Sequence, residues 1–121
     1  LGAYLDSGFA EGRVAQIQRQ QYARLLARRC EREDGPALRI RYATALADAG
    51  EIDKAEDVAS QLVIDASDEQ DVWMLCLRLA VIRRDGQAVR LVIDAIDKQH
   101  VYLNAENRER LAFWREGEEA R

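Results

Sequence analysis

Apolar residues recur every three to four positions along most of this chain, and no stretch alternates cleanly between apolar and polar. A period near 3.6 marks helices that bury one face, whereas strict alternation would mark half-buried strands. In residues 10–33, Val14, Ala15, Tyr22, Leu25, Leu26 and Cys30 fall on one helical face. Pro36 suits the first turn of a second helix, which runs to Ala49 before Gly50 ends it. Asp53 with Glu56, and Ser67 with Gln70, have the spacing of capping boxes and predict helix starts near 53 and 68. Asp85-Gly86 breaks the chain again ahead of "AVRLVIDAIDK", and Asn104 caps a last amphipathic segment with Leu111, Phe113 and Trp114. The expected fold is all-α, with about six to seven helices in antiparallel hairpins joined by very short loops.

A string of short helices invites a test for internal repeats. Glycine followed by a cap recurs as "SGFAEGR" at 7–13, "AGEIDKA" at 49–55 and "DGQAVR" at 85–90. Gly8, Gly50 and Gly86 in these segments are 42 and 36 residues apart. The stretch "AGEIDKAEDVASQLVIDASD" resembles the turn and second helix of a tetratricopeptide repeat. Gly50, Ala55, Ala59 and Leu62 stand where that family places its turn glycine, its alanine and the small or apolar residues further along the face. Tyr42, Ala43 and Leu46 stand at its large, small and large positions in the first helix, and Ser67 replaces its closing proline. Residues 70–98 match less closely: Trp73, Leu77 and Ala80 fit, but Gly86 lies about two residues late and Val89 stands near the expected alanine.

The resemblance implies a right-handed solenoid of stacked hairpins. In it, alanines let backbones approach and each hairpin leaves a face for its neighbour to cover. Repeat-like units are expected at about 1–33, 36–66 and 69–98, with 104–118 a terminal or next-repeat helix, all in one domain over 1–121. Residues 1–6 read as the tail of a first helix whose partner is 10–33. An array that opens and closes in mid-hairpin reads as a piece of a longer one, against the alternative of a complete small bundle with frayed ends.

Composition narrows the function classes. Nearly half of the 121 residues are apolar and a third are charged, an ordinary globular balance. No apolar run approaches the roughly 18 residues that span a bilayer, and no signal-peptide pattern opens the chain. Cytoplasm and periplasm both stay open as compartments. Sixteen arginines against two lysines read as a GC-rich, bacterial coding sequence. Cys30 and Cys76 lie in apolar helical stretches and read as buried thiols that pack as small hydrophobes, with no disulfide scaffold.

Candidate chemistry is sparse. His100 is the only histidine and falls in an interhelical turn, so a zinc set has no second histidine or paired cysteines at usable spacing. No Gly-rich phosphate loop is present. Asp65, Asp68, Glu69 and Asp71 read as the acidic, dipole-complementing start of a helix rather than a metal or glycosidase pair. No enzyme activity, small-molecule substrate, cofactor or metal is therefore expected.

Charge is uneven. Residues 13–41 carry eight arginines against three carboxylates, and residues 48–71 carry one lysine against nine. Arg13, Gln20, Arg24 and Arg28 form a basic stripe, the signature of a phosphate-binding helix. The overall charge of −4 and the adjoining acidic segment favour a solvated face, so nucleic acid is the alternative reading.

The family resemblance implies a different surface. In such arrays the first helices of successive hairpins line a concave groove that receives a peptide or helix of another protein. Here the corresponding positions are Arg41, Thr44 and Asp48 in one helix and Asp71, Met74 and Arg78 in the next. Arrays of this kind recur in secretion, pilus and exopolysaccharide-export assemblies and in assembly adaptors. The expected role is a protein-interaction scaffold.

Overall fold

Three of the described residues lie in the left-handed backbone region, each at a turn that ends a helix: Gly50 (φ 85°), Arg84 (φ 55°) and His100 (φ 52°). The computed structural model describes residues 2–33 and 35–119, with side chains for 12–33 and 35–117. It contains α1 (Gly2–Arg32), α2 (Pro36–Asp48), α3 (Ile52–Asp65), α4 (Gln70–Ile82), α5 (Gly86–Gln99) and α6 (Ala105–Glu119). No strand occurs among the described residues, and no described helix is long and apolar enough to cross a membrane.

At Gly50, the Glu51 N–H donates to the Leu46 carbonyl at 2.9 Å and the Gly50 N–H donates to Ala47 at 3.0 Å. This is a Schellman closure, in which the left-handed residue lets two orphan helix carbonyls be satisfied. The same pair forms at Arg84, from Asp85 to Ala80 and from Arg84 to Val81, and again at His100, from Val101 to Ile96 and from His100 to Asp97. The turn equivalent to Gly50 is therefore made by Arg84. Gly86 is the first residue of α5, two residues after that turn. Measured on structure, the recurrence is regular. The helices α2 and α4 have 13 residues each, and α3 and α5 have 14. Pro36 and Gln70 are 34 residues apart, as are Ile52 and Gly86, and Gly50 and Arg84.

The helices start within two residues of the expected positions, but the two expected capping boxes do not form. The α3 helix begins at Ile52 behind Glu51 with no side-chain cap, and Asp53 and Glu56 instead take hydrogen bonds from Arg83. The α4 helix begins at Gln70 behind Glu69, also uncapped, while the Ser67 carbonyl accepts from the Trp73 indole at 2.7 Å. Both spacings were right for a box, but the side chains of Asp53, Glu56 and Gln70 are taken by Arg83, Asn104 and Asn107 from elsewhere in the chain. Asp85 and Asn104 do cap, accepting from the backbone N–H groups of Ala88 and Asn107.

The expected turn at 7–13 is absent. One helix of 31 residues runs through it, and Leu1 lies outside the described residues. A glycine inside a helix costs about 1 kcal/mol relative to alanine, but it does not stop the helix unless the chain also reverses, as it does at Gly50. Gln16 donates from Nε2 to the Ala49 carbonyl at 2.8 Å, which places the end of α2 beside the middle of α1. The residues of α1 before Gln16 therefore extend past α2.

Each helix packs on the next, and α2 also packs on α4. Two apolar clusters share α4. Val72, Leu75 and Leu79 join Ala43, Leu46, Ala55, Ala59 and Leu62 on one side. Trp73, Leu77 and Ala80 join Val89, Ile93, Ile96 and Leu111 on the other. A helix buried on two sides must be apolar nearly all round, as α4 is. The face expected for α1 is only partly buried. Ala23 and Leu26 are in the core, Ala15 and Cys30 are half-buried, and Val14, Tyr22 and Leu25 are exposed. The apolar residues of α1 lie on two sides, and α2 covers one of them.

Candidate interaction groove

The polar positions singled out on α2 and α4 largely converge. Ile40 and Thr44 are one turn apart on α2, and Asp71, Met74, Arg78 and Ile82 form a row of three- and four-residue steps on α4. Because α2 packs on α4, these rows face a common crevice of about 400 Å³, closed on its third side by Arg110 and Trp114 of α6. Thr44, Asp71, Met74 and Arg78 all line it. Asp48 joins the same surface by accepting from Arg78 Nη2 at 2.9 Å, with both side chains about half exposed. Arg41 is exposed on α2 but does not line the crevice.

Polar groups on the walls are mostly committed within the protein. The Thr44 hydroxyl donates to the Ile40 carbonyl at 2.9 Å, one turn back on its own helix. Arg110 donates to Glu106 at 2.7 Å. What the crevice offers is an apolar floor of Met74, Leu75, Leu77 and Val81, with Ile82 and Trp114 above it and charges of both signs along the rim. Past Val81 and Trp114 the surface continues into a second crevice of about 680 Å³ between α4, α5 and α6, lined in part by Val89 and Phe113.

The position of α6 is set by a polar clamp. Gln70 Oε1 accepts from the Asn104 N–H at 2.8 Å and from the Asn107 side-chain amide at 2.9 Å, and Asn107 is buried. Arg115 adds a bidentate pair to Asp97, both bonds 2.9 Å, which holds the Asp97 carboxyl below its ordinary range. Arg39 does the same for Asp65, helped by Gln61, and ties α2 to α3. These shifted carboxyls join helices and lie outside the crevice lining.

Sequence reasoning missed the α6 wall. Arg110 and Trp114 lie one turn apart, the same step as Met74 and Arg78, and extending that row to the last helix would have found them. The alternative basic stripe is on α1: Arg13, Gln20, Arg24 and Arg28 are all exposed there, and none lines either crevice. His100 is exposed in its turn. Among the described residues no group of histidine, cysteine, aspartate or glutamate is arranged to hold a metal ion. Cys76 is partly buried, and desolvation pushes its thiol up to about 11.

In comparisons with known proteins, no family model, no curated protein and no solved structure matches this chain.

Proposed function

We propose that this protein is a non-enzymatic interaction scaffold of the tetratricopeptide-like kind, a right-handed stack of helical hairpins with α2, α4 and α6 as the first helices of successive units. The observation that carries this reading is the 34-residue recurrence of helix starts, helix lengths and left-handed turns. That figure is the period of the tetratricopeptide repeat. In this reading the crevice between α2, α4 and α6 receives an amphipathic peptide or helix of another protein. Apolar anchors enter over Met74 and Trp114, and rim contacts are made to Asp71, Arg78 and Asp48. A place in a bacterial secretion, pilus or polysaccharide-export assembly belongs to the same proposal and rests on the family resemblance alone.

The test is panning of a random peptide display library on the intact chain, with a Met74→Arg variant as counter-selection. Peptides that share an apolar spacing, and that bind the parent but not the variant, support the groove. Peptides that bind both equally place recognition elsewhere. The second reading, nucleic acid on the Arg13–Arg28 stripe, is favoured by the exposure of those side chains. It predicts salt-dependent binding to any DNA or RNA.

A further inference from the structure

Among the described residues, a face of α1 and a face of α6 each expose large apolar side chains, and the two differ in character. On α1, Ala23 and Leu26 are buried, while Val14, Ile17, Tyr22 and Leu25 are 49–59 % exposed. At 100° per residue these four fall within about 140° of one another, on the side away from Ala23. Arg24, at its edge, and Arg28, within it, are both exposed and make this stripe basic. On α6, Leu111 is buried and Phe113 is 67 % exposed. Exposed Glu109 stands one turn before Phe113 and exposed Glu116 one turn after. Beside this aromatic the crevice of about 680 Å³ is open.

We propose that the α1 stripe of one copy docks on the α6 face of another, so that the protein associates head to tail. The apolar row of Val14, Ile17 and Leu25 covers Phe113 and the mouth of its crevice, and Arg24 and Arg28 approach Glu109 and Glu116. Charge selects this pairing over the alternatives. Two α1 faces would set arginine against arginine, and two α6 faces would set Glu109 and Glu116 against each other, with Arg110 of that face already paired to Glu106. Packing order agrees with it. Inside the chain each of α2 to α5 is packed by the helix before it and the helix after it. Docked this way, a second copy packs on α1 and α6 as neighbouring helices pack on α2 to α5. An interface between unlike faces does not close on itself after one step, so it builds open-ended oligomers rather than a dimer. An association that rests on a few half-exposed apolar side chains and facing charges is weak and strengthened at low salt.

Sedimentation velocity of the 121-residue chain, at concentrations up to about 1 mM where weak specific contacts register, tests this with two blocking variants. The parent should grow in mass with concentration, less so in high salt. Ile17→Asp with Leu25→Asp, and separately Phe113→Asp, should each be monomeric alone and form a one-to-one dimer when mixed, because each retains the face the other lost. A milder pair guards against loss of folding. Glu109→Arg with Glu116→Arg should abolish growth, and adding Arg24→Glu with Arg28→Glu in the same chain should restore it. A parent that stays monomeric overturns the proposal. So does a mixture that stays monomeric, or self-association lost in the α1 variant but kept in Phe113→Asp. The groove reading is separate, since Met74→Arg and Arg78→Glu should assemble like the parent.

Discussion

A left-handed residue with a side chain brings its Cβ close to the following carbonyl oxygen, a conformation that costs roughly 1–2 kcal/mol and that glycine adopts freely. Gly50 and Arg84 hold equivalent turns, so substitution at the two should have opposite signs. Arg84→Gly should stabilise the fold by about 0.5–1 kcal/mol, part of the gain being lost to the freer unfolded chain. Gly50→Ala should destabilise it by about 1 kcal/mol, with conformation as the sole cause, because a Cβ at Gly50 meets nothing within 4 Å. Urea titration of both reads the signs, and an Arg84→Gly protein no more stable than the parent would contradict the equivalence of the turns. Thiol chemistry gives a second expectation at this scale. Burial raises the Cys76 thiol from the ordinary 9.0 to about 11, so its thiolate at pH 8 is about 100-fold scarcer than in the unfolded chain. Alkylation of Cys76, followed by mass spectrometry of its peptide, should be slow in native protein and fast in urea. A raised native value also means that stability is present below pH 9 and falls as the pH climbs from 9 toward 11, since only the unfolded chain then sheds the proton.

At the scale of helices, legibility followed locality. Apolar periodicity located five of the helices, Gly50 and Asn104 marked real boundaries, and Ala43, Ala55, Ala59 and Leu62 are buried at the crossings where small or interlocking residues were expected. What was illegible depends on residues far apart in the chain. Nothing local to Asp53 and Glu56 shows that Arg83, from the end of α4, will draw their side chains away from a cap. Nothing in residues 7–13 shows whether the glycines end a helix or are absorbed by one. The α4–α6 clamp is of the same kind. Gln70 looked like half of a capping box, yet its side chain reaches Asn104 and Asn107. Gln70→Ala should leave the buried Asn107 amide without that acceptor, a loss of about 1–3 kcal/mol. The loss should be confined to the last helix. Amide hydrogen exchange should quicken across α6 and leave α2 and α3 as slow as in the parent. Uniform quickening would show that α6 does not open on its own. Acid should loosen the same helix. Asp97 is held below its ordinary range by Arg115, so this tie is present at neutral pH and lost as pH falls through the native value.

For the whole molecule, the two halves of the charge distribution meet different surfaces, and one pair of variants separates them. Basic residues on α1 line neither crevice, whereas Arg78 sits on the crevice wall against Asp48, in a lining that includes Asp71. Arg78→Glu replaces the cation with a carboxylate beside Asp48, in a crevice that Asp71 also lines, removing an attraction and adding repulsion toward any acidic group on a bound peptide. Both members of the Arg78–Asp48 pair are about half exposed, where ion pairs contribute little to folding. Helicity and melting temperature should therefore stay close to the parent's while affinity for groove-selected peptides drops, most steeply for those carrying a carboxylate at the rim. Asp48→Asn is the companion variant, since it frees Arg78 without reversing any charge and should strengthen binding of those same acidic peptides. Arg24→Glu with Arg28→Glu should leave both peptide affinities unchanged, because α1 contributes no lining residue. Intact affinity in Arg78→Glu with binding lost in the α1 double variant would move recognition to the basic stripe. Collapse of the fold in Arg78→Glu would make the arginine a structural tie between α2 and α4, and the groove would lose its only cation–acid pair spanning those two helices among the described residues.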